Sequence, residues 1–361
     1  MRKHPLTISF MTALVLSFMS VWMPSAQAAD VLNWLEQKID NVSADKPSPV
    51  GDGAVLLTLE PHETEMYPKP SPDAHALLVV ASKRKQAWIS RRYIENGDPA
   101  NIVTDDARAF DSIGWLDNGH VYFLSERAGG LGLWEKISDG EGMLRRLQEM
   151  RGRFTQPVLL SDGSVIAVRL SSLAADRKRR AQSSKHDGFD NWSVAGYRSE
   201  LVHISEQGTR VLGKGINPAL SPDGQWLVFA MAVGRSAHLF RMHPDGSDLI
   251  QVTDARSVDV QPSWSADGKW IVFTSNRGHP DMRHTKRSNW DIWAIDAEGR
   301  NLTRLTSNSA RDGGAKVGND GRVYFHSDRK VGAKERAARE IDRVQQGFHI
   351  WSVALPSSPG R

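Results

Sequence analysis

The sequence predicts an all-β fold, a six-bladed β-propeller whose N-terminal strand closes the last blade. Three observations predict it. A short turn signature recurs six times, as Ser71-Pro72-Asp73, Leu116-Asp117-Asn118-Gly119, Ser161-Asp162-Gly163, Ser221-Pro222-Asp223-Gly224, Ala266-Asp267-Gly268 and Asn319-Asp320-Gly321. The spacings between its Asp residues are 44, 45, 61, 44 and 53, and a period near 44 is the length of one propeller blade, roughly 40 to 50 residues. The sixth copy lacks its last strand, while Val55-Leu56-Leu57-Thr58-Leu59, ahead of the first copy, has that strand's character.

Within each copy the elements follow in a fixed order. Six residues past the turn Asp stand Val79, Phe123, Val168, Phe229 and Phe273, with Phe325 five past; a bulky side chain at a fixed offset fills the space between neighbouring sheets. A second apolar column aligned on the next strand holds Trp134, Val202, Phe240, Trp293 and Trp351, with Arg91 in the first copy. A second turn glycine follows at Gly97, Gly140, Gly208, Gly246 and Gly299, and Thr104, Thr253 and Thr306 stand seven residues beyond the glycine in their copies. Each copy reads as four strands, and strand 54 to 59 pairs with the strand holding Trp351 so that no edge stays open.

Ahead of the repeats, Arg2, Lys3 and His4 precede an apolar run from Leu6 to Met23 and the small-residue pattern Ala26-Gln27-Ala28. This is the layout of a secretory signal, residues 1–28, cut after Ala28 or Ala29, with an uncleaved anchor as the alternative. Residues 29–50 are expected to hold a helix over Asp30 to Ser43, with Val31, Leu32, Leu35, Ile39 and Val42 on one stripe, and the linker Lys46-Pro47-Ser48-Pro49. The helix either docks on the propeller or binds a partner. The propeller spans 51–355, with a tail at 356–361.

Composition narrows the functions. The 361 residues carry 46 Lys plus Arg against 42 Asp plus Glu, a net charge of +4, too balanced for a surface built throughout to coat a polyanion. The absence of cysteine removes disulfides, thiolate metal sites, a cysteine nucleophile and a lipid-modified N-terminal Cys. No G-x-S-x-G elbow, H-E-x-x-H, P-loop or EF-hand pattern occurs, and the 12 histidines are scattered. His279, His284, His326 and His349 could meet near the channel mouth and hold a metal, but a lone strand or loop histidine is usually just hydrogen-bonded. No cofactor or metal is expected.

The extra length falls in one kind of place, the loop between the second and third strands of copies three, five and six. Antiparallel blades send all such loops to the same face. Residues 172 to 198, 277 to 290 and 329 to 346 together hold 16 basic and 7 acidic side chains. Arg177, Lys178, Arg179, Arg180, Arg283, Lys286 and Arg287, with Arg336, Arg339 and Arg343 on a helix expected from Ala333 to Gln346, are the candidate partner-binding residues. That helix is to carry Ala337, Ile341 and Val344 on its buried stripe. Arg forks suit carboxylates and phosphates; the alternative is a solvated face with no partner. Arg127, Arg277 and Arg329, each ending a second strand, are expected to pair with an acidic residue of their own or a neighbouring blade.

The repeats resemble the TolB-type β-propeller family, whose pattern is W-S-P-D-G, I-x-F-x-S-x-R, D-I-W/Y and L-T. The fifth copy matches closely, with Trp264-Ser265-Ala266-Asp267-Gly268, Ile271-Val272-Phe273-Thr274-Ser275-Asn276-Arg277, Asp291-Ile292-Trp293 and Leu305-Thr306. Copies two, four and six match well, one and three loosely. The resemblance implies an envelope-associated role with an acidic or peptidoglycan-associated lipoprotein as partner. An anionic envelope polymer is the other partner the basic loops suit, the signal argues for the periplasm and against nucleic acid, and no later segment has the length of a membrane span. Full TolB proteins carry an α/β domain in front, and barely twenty residues separate the signal from Gly51. Related repeats occur in serine peptidases and a pectate-fragment lyase family, so the alternative function is a polysaccharide lyase or hydrolase acting on an anionic glycan.

Overall fold

Turn chemistry sets the first hairpin of blades 1, 4 and 5. The Ser71, Ser221 and Ser265 hydroxyls donate to Asp73, Asp223 and Asp267 at 2.5, 2.5 and 2.6 Å. Each carboxylate also accepts the N–H two residues on, from His75, Gln225 and Lys269. The same Ser oxygens accept from Ala76, Trp226 and Trp270, all at 2.9 Å, which locks the start of the returning strand. The residue after the Asp takes a left-handed φ, 71° at Gly224 and 70° at Gly268, where glycine lacks the Cβ that would clash. Blade 1 places Ala74 there instead, at φ 58°.

The computed structural model describes residues 52–84, 86–105, 113–116, 119–172, 197–282, 288–344 and 347–357. The N-terminal strand is β1 (Val55–Leu56). Blade 1 holds β2 (Thr64–Pro70), β3 (Ala76–Lys83), β4 (Gln86–Tyr93) and β5 (Pro99–Thr104); blade 2 holds β6 (Gly114–Trp115), β7 (His120–Ser125), β8 (Gly132–Ile137) and β9 (Arg145–Glu149). Blade 3 holds β10 (Phe154–Leu159), β11 (Val165–Ser172), β12 (Tyr197–Ser205) and β13 (Gly208–Lys214); blade 4 holds β14 (Ile216–Leu220), β15 (Leu227–Val233), β16 (Ser236–Met242) and β17 (Ile250–Gln251). Blade 5 holds β18 (Asp259–Trp264), β19 (Trp270–His279), β20 (Asn289–Asp296) and β21 (Thr303–Arg304); blade 6 holds β22 (Asp312–Val317), β23 (Arg322–Ser327) and β24 (His349–Ala354). Six four-stranded antiparallel sheets result, five in simple sequential order and the sixth ordered β1-β24-β23-β22. No helix among the described residues is long and apolar enough to cross a membrane.

Closure follows the repeat to the atom. Val55 pairs with Ser352 and Leu56 with Trp351. Leu57 and Thr58 both donate to the Ile350 carbonyl at 2.8 and 3.2 Å, as Val252 and Thr253 donate to Leu239, and Leu305 and Thr306 to Ile292, at 2.8 and 3.3 Å in each case. In return the N–H groups of Ile350, Leu239 and Ile292 donate to the hydroxyls of Thr58, Thr253 and Thr306. Thr58 is therefore the missing member of the threonine column.

The bulky columns meet across the central strand pair. Phe123 faces Trp134, Phe229 faces Phe240, Phe273 faces Trp293 and Phe325 faces Trp351. In blades 1 and 3 the expected partners are displaced by one residue, for Val79 faces Ser90 and Val168 faces Leu201. The blade 3 loop is too long for a residue count to carry strand register across it. Burying such side chains stabilises by about 1.5–3 kcal/mol each. One cluster, with Leu56, Trp270, Val272, Ile292, Phe325 and Trp351 among its members, packs the N-terminal strand and blade 6 against blade 5.

The helix expected over Ala333 to Gln346 is much shorter. Helix α1 (Ala333–Ala337) ends within five residues, and Glu340 takes a left-handed φ of 56°. Docking overrides the helical pattern, since Ile341 and Val344 pack on the core of blades 5 and 6 as the stripe foresaw while Ala337 stays exposed. The turn carries Arg339 back so that it donates to the Leu57 carbonyl at 2.6 Å.

Candidate functional site

The innermost strands of blades 1, 3, 4, 5 and 6 carry a bulge at one repeated position. The register shifts lie between Met66 and Lys69, Thr155 and Val158, Ile216 and Ala219, Val260 and Ser263, and Gly313 and Lys316. Tyr67, Gln156, Asn217 and Gln261 sit inside them at φ 54°, 51°, 54° and 56°, and Gly314 at 64°. All four non-glycine residues precede proline, Pro68, Pro157, Pro218 and Pro262, which has no N–H to give to the ladder. A left-handed conformation costs a non-glycine residue about 1–2 kcal/mol, so something must hold it.

A belt of hydrogen bonds between blades holds it. The Asn217 N–H donates to Gln156 Oε1 at 2.7 Å, the Gln261 N–H to Asn217 Oδ1 at 3.3 Å, and the Gly314 N–H to Gln261 Oε1 at 2.8 Å. Gly314 has no side chain to continue the chain, and His326 fills the place its Cβ would take, 2.7 Å from that position to Nδ1. The Tyr67 N–H donates to His326 Nδ1 at 3.3 Å, so that nitrogen carries no proton. Burial, with a lesser push from Arg311, lowers His326 to about 3. His326 is a neutral strut of the belt, not the metal ligand that its place beside a channel mouth first raised. His349 is buried against Glu65, 3.6 Å away, and among the described residues no three His, Cys, Asp or Glu side chains group as a metal would need.

Inside the belt lies an axial cavity of about 560 Å³. One residue per blade, four before the turn Asp, forms a ring in its wall: Lys69, Ile113, Val158, Ala219, Ser263 and Lys316. Trp115 Nε1 donates to the Lys69 carbonyl at 2.7 Å and Trp264 Nε1 to the Ala219 carbonyl at 3.1 Å, which fixes this ring between neighbouring blades. Lys316 Nζ donates to the Pro262 carbonyl at 3.3 Å. Burial holds the Lys316 ammonium well below the ordinary lysine value, and repulsion from Lys69 adds to it. Among the described lining residues there is no Asp or Glu.

On the opposite face emerge the inserted connections β11–β12, β19–β20 and β23–β24. The expected binding residues Arg177, Lys178, Arg179, Arg180, Arg283, Lys286 and Arg287 lie outside the described residues, as do the expected signal and N-terminal helix. Arg343 is exposed, whereas Arg336 and Arg339 are half-buried. Arg336 reaches the Gly332 and Asp342 carbonyls and braces its own loop, while Arg339 ties that loop to the N-terminal segment at Leu57.

The arginines ending the second strands pair as expected in blades 5 and 6. Arg277 meets Asp259 at 2.6 Å, held over the Phe273 and Trp293 rings. Arg329 meets Asp312 at 2.6 Å and Asp52 at 2.7 Å, over Phe325 and Trp351. Two of the sixteen basic charges counted on the loop face are thus spent internally. Arg127 donates to Ser125 and lies over Trp134. The sequence reading missed the two channel lysines, although a signal was present. Proline stands five residues before the turn Asp in four copies, and the lysines stand beside that column.

No family model matches the chain, and no curated sequence matches it either. Solved structures share its architecture. An oligogalacturonate lyase in complex with manganese aligns at 12% identity over 86% of this chain and 95% of that one, with a TM-score of 0.52. XC5397 from Xanthomonas campestris, described as a gluconolactonase, aligns at 16% identity over 87% and 92%, also at 0.52. A TolB from Agrobacterium tumefaciens aligns at 17% identity over 82% and 91%, at 0.49. Likeness at this identity shows a common six-bladed fold and leaves function to the site.

Proposed function

We propose that this six-bladed propeller is a cell-envelope binding protein that engages an anionic partner through its inserted loops rather than by catalysis. The observation that carries the reading is topological. The three insertions all join a second strand to a third, in blades of one common strand order, so their excess of basic residues is gathered on one face. Arg343, on the third insertion, is exposed. Basic insertions gathered in this way suit a protein or polymer surface. The periplasmic location rests on the pattern of residues 1–28, and a peptidoglycan-associated lipoprotein is the partner that the repeat resemblance puts first.

The structure changes which residues to test. Arg336 and Arg339 brace the loop, so reversing them confounds binding with folding. Reversing Arg179, Arg180, Arg287 and Arg343 to Glu leaves the described packing intact. With the soluble domain of a peptidoglycan-associated lipoprotein immobilised, the wild-type chain is expected to bind with an affinity that falls steeply between low and moderate salt, because exposed charges are screened beyond about 10 Å at 0.1 M. The reversed chain is expected not to bind. Retention of binding by the reversed chain at low salt rejects the loop face. Appearance of cleaved or unsaturated products from polygalacturonate favours the glycan-degrading alternative.

A further inference from the structure

We propose that the axial cavity is a second, separate binding site, for a small organic acid the size of a mono- or disaccharide with one or two carboxylates. This goes beyond the loop-face reading and does not depend on it. The cavity wall runs from the bulge residues Tyr67 and Gln261 down to Pro222, Ala266 and Asn319 of the first-hairpin turns. Its mouth therefore lies at the turn face, at the other end of the strands from the inserted loops.

Four features define what the cavity accepts. Charge comes first, because Lys69 and Lys316, on the adjoining blades 1 and 6, both line it with no carboxylate among its described lining residues. Shape comes next, since about 560 Å³ falls within the roughly 300–1,000 Å³ typical of small-ligand sites, and a ring of six blades closes it to a long polymer. The third feature is the wall, where Pro157, Pro218, Pro262 and Trp264 offer apolar surface against which the C–H face of a ring packs. The fourth is rigidity. The belt running through Gln156, Asn217 and Gln261 fixes the backbone of the wall, so little freedom is lost on binding.

A bound carboxylate also answers the repulsion between the two lysines. Lys316 is held below its ordinary value by burial and by Lys69, so an anion placed between them raises its proton affinity. Binding then draws a proton from solution, and affinity falls as pH rises.

Calorimetric titration of the mature chain with glucuronate, citrate, inorganic phosphate and glucose tests this. Glucuronate and citrate are expected to bind with proton uptake, seen as a dependence of the heat on buffer ionisation enthalpy, and glucose is not. Lys69→Met and Lys316→Met are each expected to weaken binding roughly tenfold or more, the loss of one charge-assisted contact. Lys316→Arg is expected to keep it, and so is Lys334→Met on the loop face. Thermal melts establish that the variants fold, and Lys69→Met with the proton-uptake measurement carries the test if Lys316→Met does not. Unchanged affinity in a folded Lys69→Met chain, equal binding of glucose, phosphate bound as tightly as glucuronate, or no heat with any acid overturns the assignment. The chain with Arg179, Arg180, Arg287 and Arg343 reversed should retain the acid site, so failure of one reading is distinguishable from failure of the other.

Discussion

Ala74 shows how a single residue departs from a repeat at a cost. It holds the turn position that Gly224 and Gly268 fill elsewhere, at a φ of 58° that its Cβ disfavours. Ala74→Gly is expected to raise stability by about 0.5–1 kcal/mol, the relief of left-handed strain less the entropy glycine adds to the unfolded chain; a chemical melt with unchanged m-value reads it directly. His326 departs in the other direction, since its folded pKa of about 3 lies below its ordinary 6.5. The unfolded chain then binds the proton more readily. The stability due to neutral His326 is fully present above about pH 6.5 and is lost as pH falls toward 3. Between pH 7.5 and 5 the wild type should lose about 2 kcal/mol more than His326→Gln, which has no imidazole to protonate. Equal losses in the two chains would remove His326 from the acid response.

At the scale of elements, the closing strand is short, and its side chains do much of the holding. Thr58 accepts from the Ile350 N–H at 3.1 Å and donates to Glu65 at 2.5 Å. Glu65 in turn meets Arg92 at 3.0 Å, with both side chains buried. Thr253 and Thr306 make the first contact. Thr58→Ala is therefore expected to destabilise by about 2–3 kcal/mol and Thr253→Ala by about 1–2, because buried polar groups left without a partner carry their full desolvation cost. Equilibrium unfolding of the two variants compares them, and equal losses would mean that the Glu65 contact adds nothing. Deleting residues 51 to 60 removes the strand outright and exposes the β24 edge, so aggregation or a marked drop in melting temperature is expected. A truncated chain that melts like the full one would show that the ring closes on side-chain packing alone.

For the whole molecule, the two proposed sites are built by different rules. The proposed loop face draws on insertions, and reversal of Arg179, Arg180, Arg287 and Arg343, which spares the bracing Arg336 and Arg339, should leave the melting temperature within a few degrees of the wild type. The axial cavity is part of the scaffold. Gln261→Ala removes the acceptor shared by the Gly314 N–H at 2.8 Å and the Thr274 hydroxyl at 3.0 Å. It is expected to cost about 1–3 kcal/mol and to loosen the cavity at the same time, which urea unfolding and acid titration of the same variant would register together.

The blade number, the turn chemistry and the closing strand were all legible in the sequence, because a repeat states the same local rule six times and Asp-Gly turns, aromatic columns and Leu-Thr strand ends act within a few residues. The pairing of Arg277 and Arg329 with carboxylates was legible in kind, though not the identity of Asp259, Asp312 and Asp52. The strand partners in blades 1 and 3, the truncated helix at Ala333 and the bracing by Arg339 were decided by tertiary packing, where a docking loop outweighs helical periodicity. The channel lysines belong to that second class as well. Lys69 and Lys316 stand 247 positions apart in the chain, and only the closure of the ring brings blade 6 beside blade 1 and makes two unremarkable surface-type residues into the wall of one cavity.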